Sequence, residues 1–347
     1  MQNLPDWARA SGPTLFAARI RSTATDFVVS EVLSIDFSNE GEHDLLHIEK
    51  SGANTQWVAD RLAEHAGVPA RDVGFAGLKD RHALTRQWFS VRRPAATGTR
   101  WDNFNAEGVC ILEQQRHRRK LRRGAHKGNA FRIALRCDDI QSLRPRIAER
   151  LSIIAAAGVP NYFGEQRFGR GGANLDLCRS LIAGKRLSRA KRSIALSAAR
   201  SLVFNDILAL RVQNGSWNAI RPGELANLDG SGSVFAVDEI TAELERRCGE
   251  LDIHPSGTLW GRGAPLGAGT VAALESSVAA AHPQLCNGLV GAGVKASSRP
   301  LRLRVRDLHW HIEADALWLE FTLGRGGYAT AVIREIATVL ERTLGRD

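Results

Sequence analysis

The stretch GFAGLKDRHALTRQ, residues 74–87, decides how the rest of the chain is read. One carboxylate, Asp80, stands between Lys79 and Arg81, with His82 and Arg86 close behind. Nearby positive charge favours the ionised form of a carboxylate. An ionised carboxylate can act as a nucleophile or a base, and the same cations attract phosphate. The stretch is expected to lie between a helix and a short strand over 88–91. Taken alone, an Asp in this setting is usually a turn residue or a helix cap, so its meaning depends on its surroundings.

Upstream, Phe27-Val28-Val29 and the run Asp44 to Glu49 read as strands, with a turn at Asn39-Glu40-Gly41-Glu42-His43 between them. Asn54-Thr55 opens a helix in which Val58, Leu62 and Ala66 recur at helical spacing, and Gly67 with Pro69 closes it. Downstream, strands are expected over 109–112 and 131–135. The run from Arg116 to Lys127 between them holds the densest positive charge in the chain. A charge run of this kind is either a solvated hairpin tip or a phosphate-contacting loop that gives affinity without sequence information. Ile140, Leu143, Ile147, Leu151 and Ile154 predict a helix over about 139–157.

At Gly158-Val159-Pro160 the texture changes to Gly, aromatic residues and Arg. Residues 188–212 form one long helical pattern, and 220–300 is rich in Gly, Pro and Ser around a short helix near 242–247. The last stretch returns to alternation. Leu301, Leu303 and Val305 alternate with Arg302, Arg304 and Arg306, and Leu317, Leu319, Phe321 and Leu323 alternate with polar or aromatic neighbours. Both read as half-buried strands. Gly324 to Gly327 turns the chain, and a closing helix is expected over 328–344.

The chain has 347 residues, more than one core comfortably supports and suited to two domains. Its hydrophobic content of 44% supplies a sizeable core, and its net charge of +10 favours a polyanionic partner. Five cysteines stand singly, with no C-x-x-C pair, which argues against a disulfide framework or a structural zinc site. The N-terminus lacks a signal-peptide pattern, and no apolar run reaches membrane-spanning length. A cytoplasmic protein is expected. There is no P-loop and no HExxH. Gly291-Ala292-Gly293-Val294-Lys295-Ala296 matches the loose dinucleotide fingerprint but precedes Ser-Ser-Arg-Pro rather than a helix. His309 and His311 lack a third metal ligand nearby.

Several separated segments together resemble the TruD family of tRNA pseudouridine synthases, in order and spacing. Asp26-Phe27-Val28-Val29 with Glu31 is similar to the family's DFxVxE, and residues 74–87 resemble its GxKD segment. Lys127-Gly128-Asn129-Ala130-Phe131 resembles HxGNxF, with His126 one place earlier than some members carry it. Residues 159–169, VPNYFGEQRFG, match VPNYFGxQRFG, and Gly327 to Thr330 with Arg334-Glu335 resembles the C-terminal segment.

The resemblance implies an α+β fold: a pseudouridine synthase catalytic domain with a mixed, largely antiparallel sheet and flanking helices, plus an inserted TRUD-specific α/β domain. It places the catalytic domain at 1–157 and 306–347 and the insertion at 158–305. It implies isomerisation of a tRNA uridine to pseudouridine, at position 13 in bacterial members, with no metal and no organic cofactor. Asp80 is then the catalytic residue, either attacking C1′ or removing the C2′ proton. Arg21 stands where the family carries a basic residue that pairs with it. Phe27 and Phe131 wall the pocket, Asn129 holds the base edge and Tyr328 completes the wall. RNA backbone contacts are expected from Lys79, Arg81, Arg118, Arg119, Lys127, Arg167 and Arg170. The partner is tRNA, with no membrane, and the chain is expected to be a monomer. Two alternatives remain at this level: a non-catalytic structured-RNA-binding protein or RNA chaperone, and, from charge alone, a DNA-binding protein. The last lacks helix-turn-helix or zinc-finger patterns.

Overall fold

The computed structural model describes residues 4–33, 35, 37–81, 83–93 and 99–340. His82 and positions 341–344 of the expected closing helix lie outside them. The chain forms two compact units: 16–145 with 306–326 and 338–347, and 1–15 with 146–305 and 327–337. The units change over at 15/16, 145/146, 305/306, 326/327 and 337/338. Hydrogen bonds show why the ends of the chain join the second unit. Arg150 Nη1 donates to the carbonyls of Pro13 and Glu335, and Arg334 Nη2 donates to that of Trp7.

The first unit is built on a sheet. Seven strands run in the order Val305–Glu313, Ala316–Gly324, His126–Arg136, Phe27–Leu33, Leu84–Arg92, His43–Lys50 and Val109–His117. An eighth, Val73–Phe75, pairs with Leu84–Arg92 off that path. Phe27–Leu33 runs parallel to Leu84–Arg92, and the registered pairings around them are antiparallel. This is the mixed, largely antiparallel sheet expected from the sequence.

Side chains alternate across a strand, so residues paired in register share a face. The pairs Phe27–Ile133, Val29–Phe131 and Glu31–Asn129 put Phe27, Glu31, Asn129 and Phe131 on one face. Val29–Thr85 carries that face to the next strand, and Thr85–Lys50 and Gln87–Ile48 carry it one further. The helix Thr55–Ala66 closes part of the same face. Its Val58 and Leu62 join Leu46, Ile48 and Phe89 in one buried cluster. Each such side chain contributes roughly 1.5–3 kcal/mol on burial. Gly67 ends the helix in the left-handed conformation at φ 65°, where glycine has no Cβ penalty.

The basic run is shorter as a loop than the sequence implied. The strands Val109–His117 and His126–Arg136 extend into it, leaving 118–125 as the connection. Val109–His117 is the last strand in the sheet order, a position where charged residues are tolerated and discourage further pairing.

In the second unit, the 25-residue helix Arg189–Gln213 forms the core with Ala195, Ala198, Ala199, Leu202, Phe204 and Leu208 buried. It is long and apolar enough by composition to cross a membrane, but most of it is buried inside this unit. Around it pack Ala173–Ile182, Gly269–Ala280 and Pro283–Gly291. A four-stranded sheet follows the order Val234–Val237, Glu224–Leu228, Ile253–Leu259, Ser297–Pro300. The region 220–300 is therefore far more regular than its Gly, Pro and Ser content indicated.

Two other expectations are corrected. Arg302 does not face solvent opposite Leu301 and Leu303. It is buried, donating to His254 Nδ1 and to the carbonyls of Cys248 and Ile253. The closing helix is only Ala329–Ile333, followed by the strand Ala337–Val339. Ala329, Ala331, Val332, Ile333, Ile336 and Ala337 are all buried. A segment enclosed on every side lacks the one-sided apolar stripe of a long surface helix.

Candidate active site

The Asp80 loop is pinned from beneath by side chains of that shared sheet face. Gln87 Nε2 donates to the Gly77 carbonyl at 3.2 Å. Thr55 Oγ1 accepts from the Lys79 N–H at 3.0 Å and donates to Gln87 Oε1 at 2.9 Å. Lys50 Nζ donates to the Asp80 carbonyl at 3.2 Å. Beyond Asp80, the Gly52 N–H donates to the Arg81 carbonyl and Arg81 Nε to the Gly52 carbonyl. The loop backbone is thus fixed while the Asp80 side chain stays 41% exposed. A carboxylate offered to solvent from a rigid support is the arrangement an acting group requires.

Arg21 Nη2 lies 3.0 Å from Asp80 Oδ2. The same guanidinium sits with Cζ 4.3 Å from the centre of the Phe27 ring. Arg21 has φ 58°, uncommon for a residue with a Cβ. Phe27 meets Phe131 edge-on at 6.5 Å, and Phe131 stacks on Phe321 at 5.4 Å. The short 3-10 turn Ala24–Asp26 sets the start of the Phe27 strand. Asp26 there accepts from Arg136 Nε and Nη2 at 2.9 and 2.8 Å and from Thr23. The Arg136 hydrogen bonds hold the Asp26 carboxyl below the usual carboxylate range, against the opposing effect of burial.

Several polar atoms in this unit are buried without a hydrogen-bond partner among the described residues: Arg21 Nε, Asn129 Oδ1, His126 Nδ1 and Thr85 Oγ1. Buried polar atoms are normally satisfied, which sets Asn129 Oδ1 and Arg21 Nε apart beside the aromatic rings and Asp80. His126 lies beside Lys79. Burial, followed by the Lys79 charge, pushes its imidazole below the ordinary range.

Five of the expected residues, Asp80, Arg21, Phe27, Asn129 and Phe131, belong to this sheet unit. Tyr328, Arg167 and Arg170 belong to the other. There the Tyr328 hydroxyl accepts from Arg167 Nη2, and Arg167 Nη1 donates to Ser197 Oγ at 3.1 Å. Phe163 packs 6.1 Å from Tyr328, with Arg299 Cζ 4.1 Å from the Phe163 ring centre. Burial pushes the Arg299 guanidinium down to about 10. Arg170 is exposed.

The expected backbone-contacting cations divide. Arg81, Arg119 and Lys127 are exposed, and Arg118, also exposed, is engaged by Glu40. Lys79 departs from expectation: its ammonium is buried and paired with Glu31 Oε1 at 3.0 Å. Glu31 also accepts from the Trp88 N–H. Arg86 likewise does not join the cations around Asp80. It sits on the opposite sheet face and pairs with Glu49 at 2.8 Å. Lys50, Thr55, Gln87 and the pairing role of Glu31 had no visible signal in the sequence, because register across three strands and the start of a helix assembles them.

The mixed sheet carries an arginine-paired carboxylate beside a row of aromatic rings, and comparison with known proteins identifies the family. The pattern of the family described as tRNA pseudouridine synthase D (TruD) matches residues 11–184 and 180–336. A tRNA pseudouridine synthase D of Methylococcus capsulatus is 46% identical over 95% of this chain and 94% of its own. One from Pseudomonas entomophila is 46% identical over 96% and 94%, and one from Psychrobacter arcticus 43% over 94% and 92%. A crystal structure of a TruD protein from Methanosarcina mazei shares the fold, with a TM-score of 0.72 at 19% identity, over 96% of this chain and 98% of that one. The chain belongs to the tRNA pseudouridine synthase D family.

Proposed function

We propose that this protein isomerises a uridine of tRNA, the one at position 13, to pseudouridine, and that Asp80 is the group acting on the ribose. The reaction breaks the N1–C1′ bond, turns the base in place and joins C5 to C1′. The C5 proton leaves to solvent and N1, freed from C1′, takes a proton up. Asp80 either attacks C1′ or takes the C2′ proton. Arg21 pairs with the carboxylate and aims it. The base must leave the RNA stack at a cost of a few kcal/mol. Phe27 and Phe131 receive its face, and Asn129 Oδ1 accepts a hydrogen bond from its edge. Arg81, Arg119 and Lys127 contact phosphates, and the protein acts as a monomer.

One observation carries this reading: Asp80 is exposed and arginine-paired on a loop otherwise pinned through its backbone. The test is tritium release from tRNA labelled at uridine C5, comparing wild type with Asp80→Asn. Release by wild type alone is expected, and it should vanish when position 13 is cytidine. Equal release from both proteins would remove Asp80 from the mechanism. No release by a folded, tRNA-binding wild type would favour a binding-only role.

A further inference from the structure

The strand His43–Lys50 ends on a lysine with none of its surface open to solvent. Its Nζ donates to two backbone carbonyls, Ala53 at 2.8 Å and Asp80 at 3.2 Å. Among the described residues it forms no ion pair. An ammonium buried on neutral acceptors is expensive. An apolar side chain of similar size fills such a space at equal or better stability. A lysine kept there acts on something, and the group it touches is the backbone of Asp80.

We propose that Lys50 is the positioning residue of Asp80: bonded to the Asp80 carbonyl from beneath the loop, its ammonium holds the backbone from which the carboxylate projects through a charge-assisted hydrogen bond. The inference rests on Asp80 being the catalytic residue. The hydrogen bond orients the loop; on loss of one proton the neutral amine still donates, but the bond loses its charge assistance and weakens by about half. Burial is the largest influence on Lys50 and pushes it down to about 8; Asp80 opposes that shift and Lys79 adds to it. Its register partners on the flanking strands, Thr85 and Val109, bring no charge.

The experiment measures single-turnover tritium release from C5-labelled tRNA between about pH 7 and pH 9, for wild type and for Lys50→Met, with circular dichroism and tRNA affinity as controls. Wild type is expected to slow above pH 8. Lys50→Met should bind tRNA normally and turn over about 10²-fold more slowly at pH 7, as expected for a misplaced reacting group, without that alkaline fall. A folded Lys50→Met within about twofold of wild type at pH 7, against the roughly 10²-fold expected, would overturn the proposal. If the variant does not fold, the wild-type profile decides: a rate unchanged from pH 7 to pH 9 overturns it. A wild type inactive at every pH would instead refute the role of Asp80 itself, and this proposal with it.

Discussion

Arg21 serves Asp80 and Phe27 with one guanidinium, 3.0 Å from the carboxylate through Nη2 and 4.3 Å above the aromatic ring through Cζ. Both partners of the ion pair are about one-third or more exposed, so it is worth about 1 kcal/mol or less to stability. Its value lies in aim. Arg21→Gln is expected to lower turnover about 10²-fold with little change in melting temperature. Arg21→Lys should fall between, since Lys keeps the charge and loses the planar fork. Kinetics and thermal melts on the two variants check this.

Asp26 gives a pH prediction. Its folded pKa is depressed by Arg136, so its stabilising contribution is present above its unfolded value of about 3.9. It is lost as pH falls through the lower folded value. Asp26→Asn should cost about 2–3 kcal/mol near neutral pH, and the gap from wild type should close toward pH 2. Denaturant midpoints across that range measure it.

His126 should remain neutral at pH 7, because burial and Lys79 both disfavour its protonation. The unfolded chain takes up that proton first, so this group's contribution to stability falls as pH drops through about 6.5. Imidazole nitrogen shifts from NMR would show a charged His126 at pH 6.5 if this is wrong.

The Tyr328 hydroxyl is already engaged by Arg167. Tyr328→Phe should therefore lose about 1 kcal/mol of stability and change turnover by no more than about fivefold, the equivalent of one such bond. A loss of several hundredfold would show that the hydroxyl acts on substrate.

Arg118 and Arg119 are adjacent, but Arg118 is tied to Glu40. Arg119→Ala should reduce the slope of log affinity for tRNA against log salt by about 1, and Arg118→Ala should reduce it less. Filter binding over a salt series separates the two.

Local pattern carried much of this structure. Helix Thr55–Ala66, with Asn54 at its start and Gly67 at its end, is written in spacing and caps. So is the alternation of Leu317, Leu319, Phe321 and Leu323, all buried. Gly269–Ala280 was missed because its many alanines leave no distinct apolar stripe. Asp80, Phe27, Asn129 and Phe131 were singled out through motifs, and register brings the last three onto one sheet face. Lys50 was not, because a lysine ending a strand looks like any surface lysine until register with Thr85 turns it inward. Lys79 misled for the converse reason: its partner Glu31 lies 48 residues away in sequence.

The strand that carries Asn129 and Phe131 is flanked by Phe27–Leu33 on one side and by Ala316–Gly324 on the other. A growing polypeptide therefore holds Asp80 long before Phe321 can complete the stack on Phe131. At about 5–20 residues per second, the ribosome needs roughly ten to fifty seconds to travel from Asp80 to the strand that stacks Phe321 on Phe131. Throughout synthesis of the intervening unit the half-made sheet lacks Ala316–Gly324 and presents an open edge exposed to mispairing.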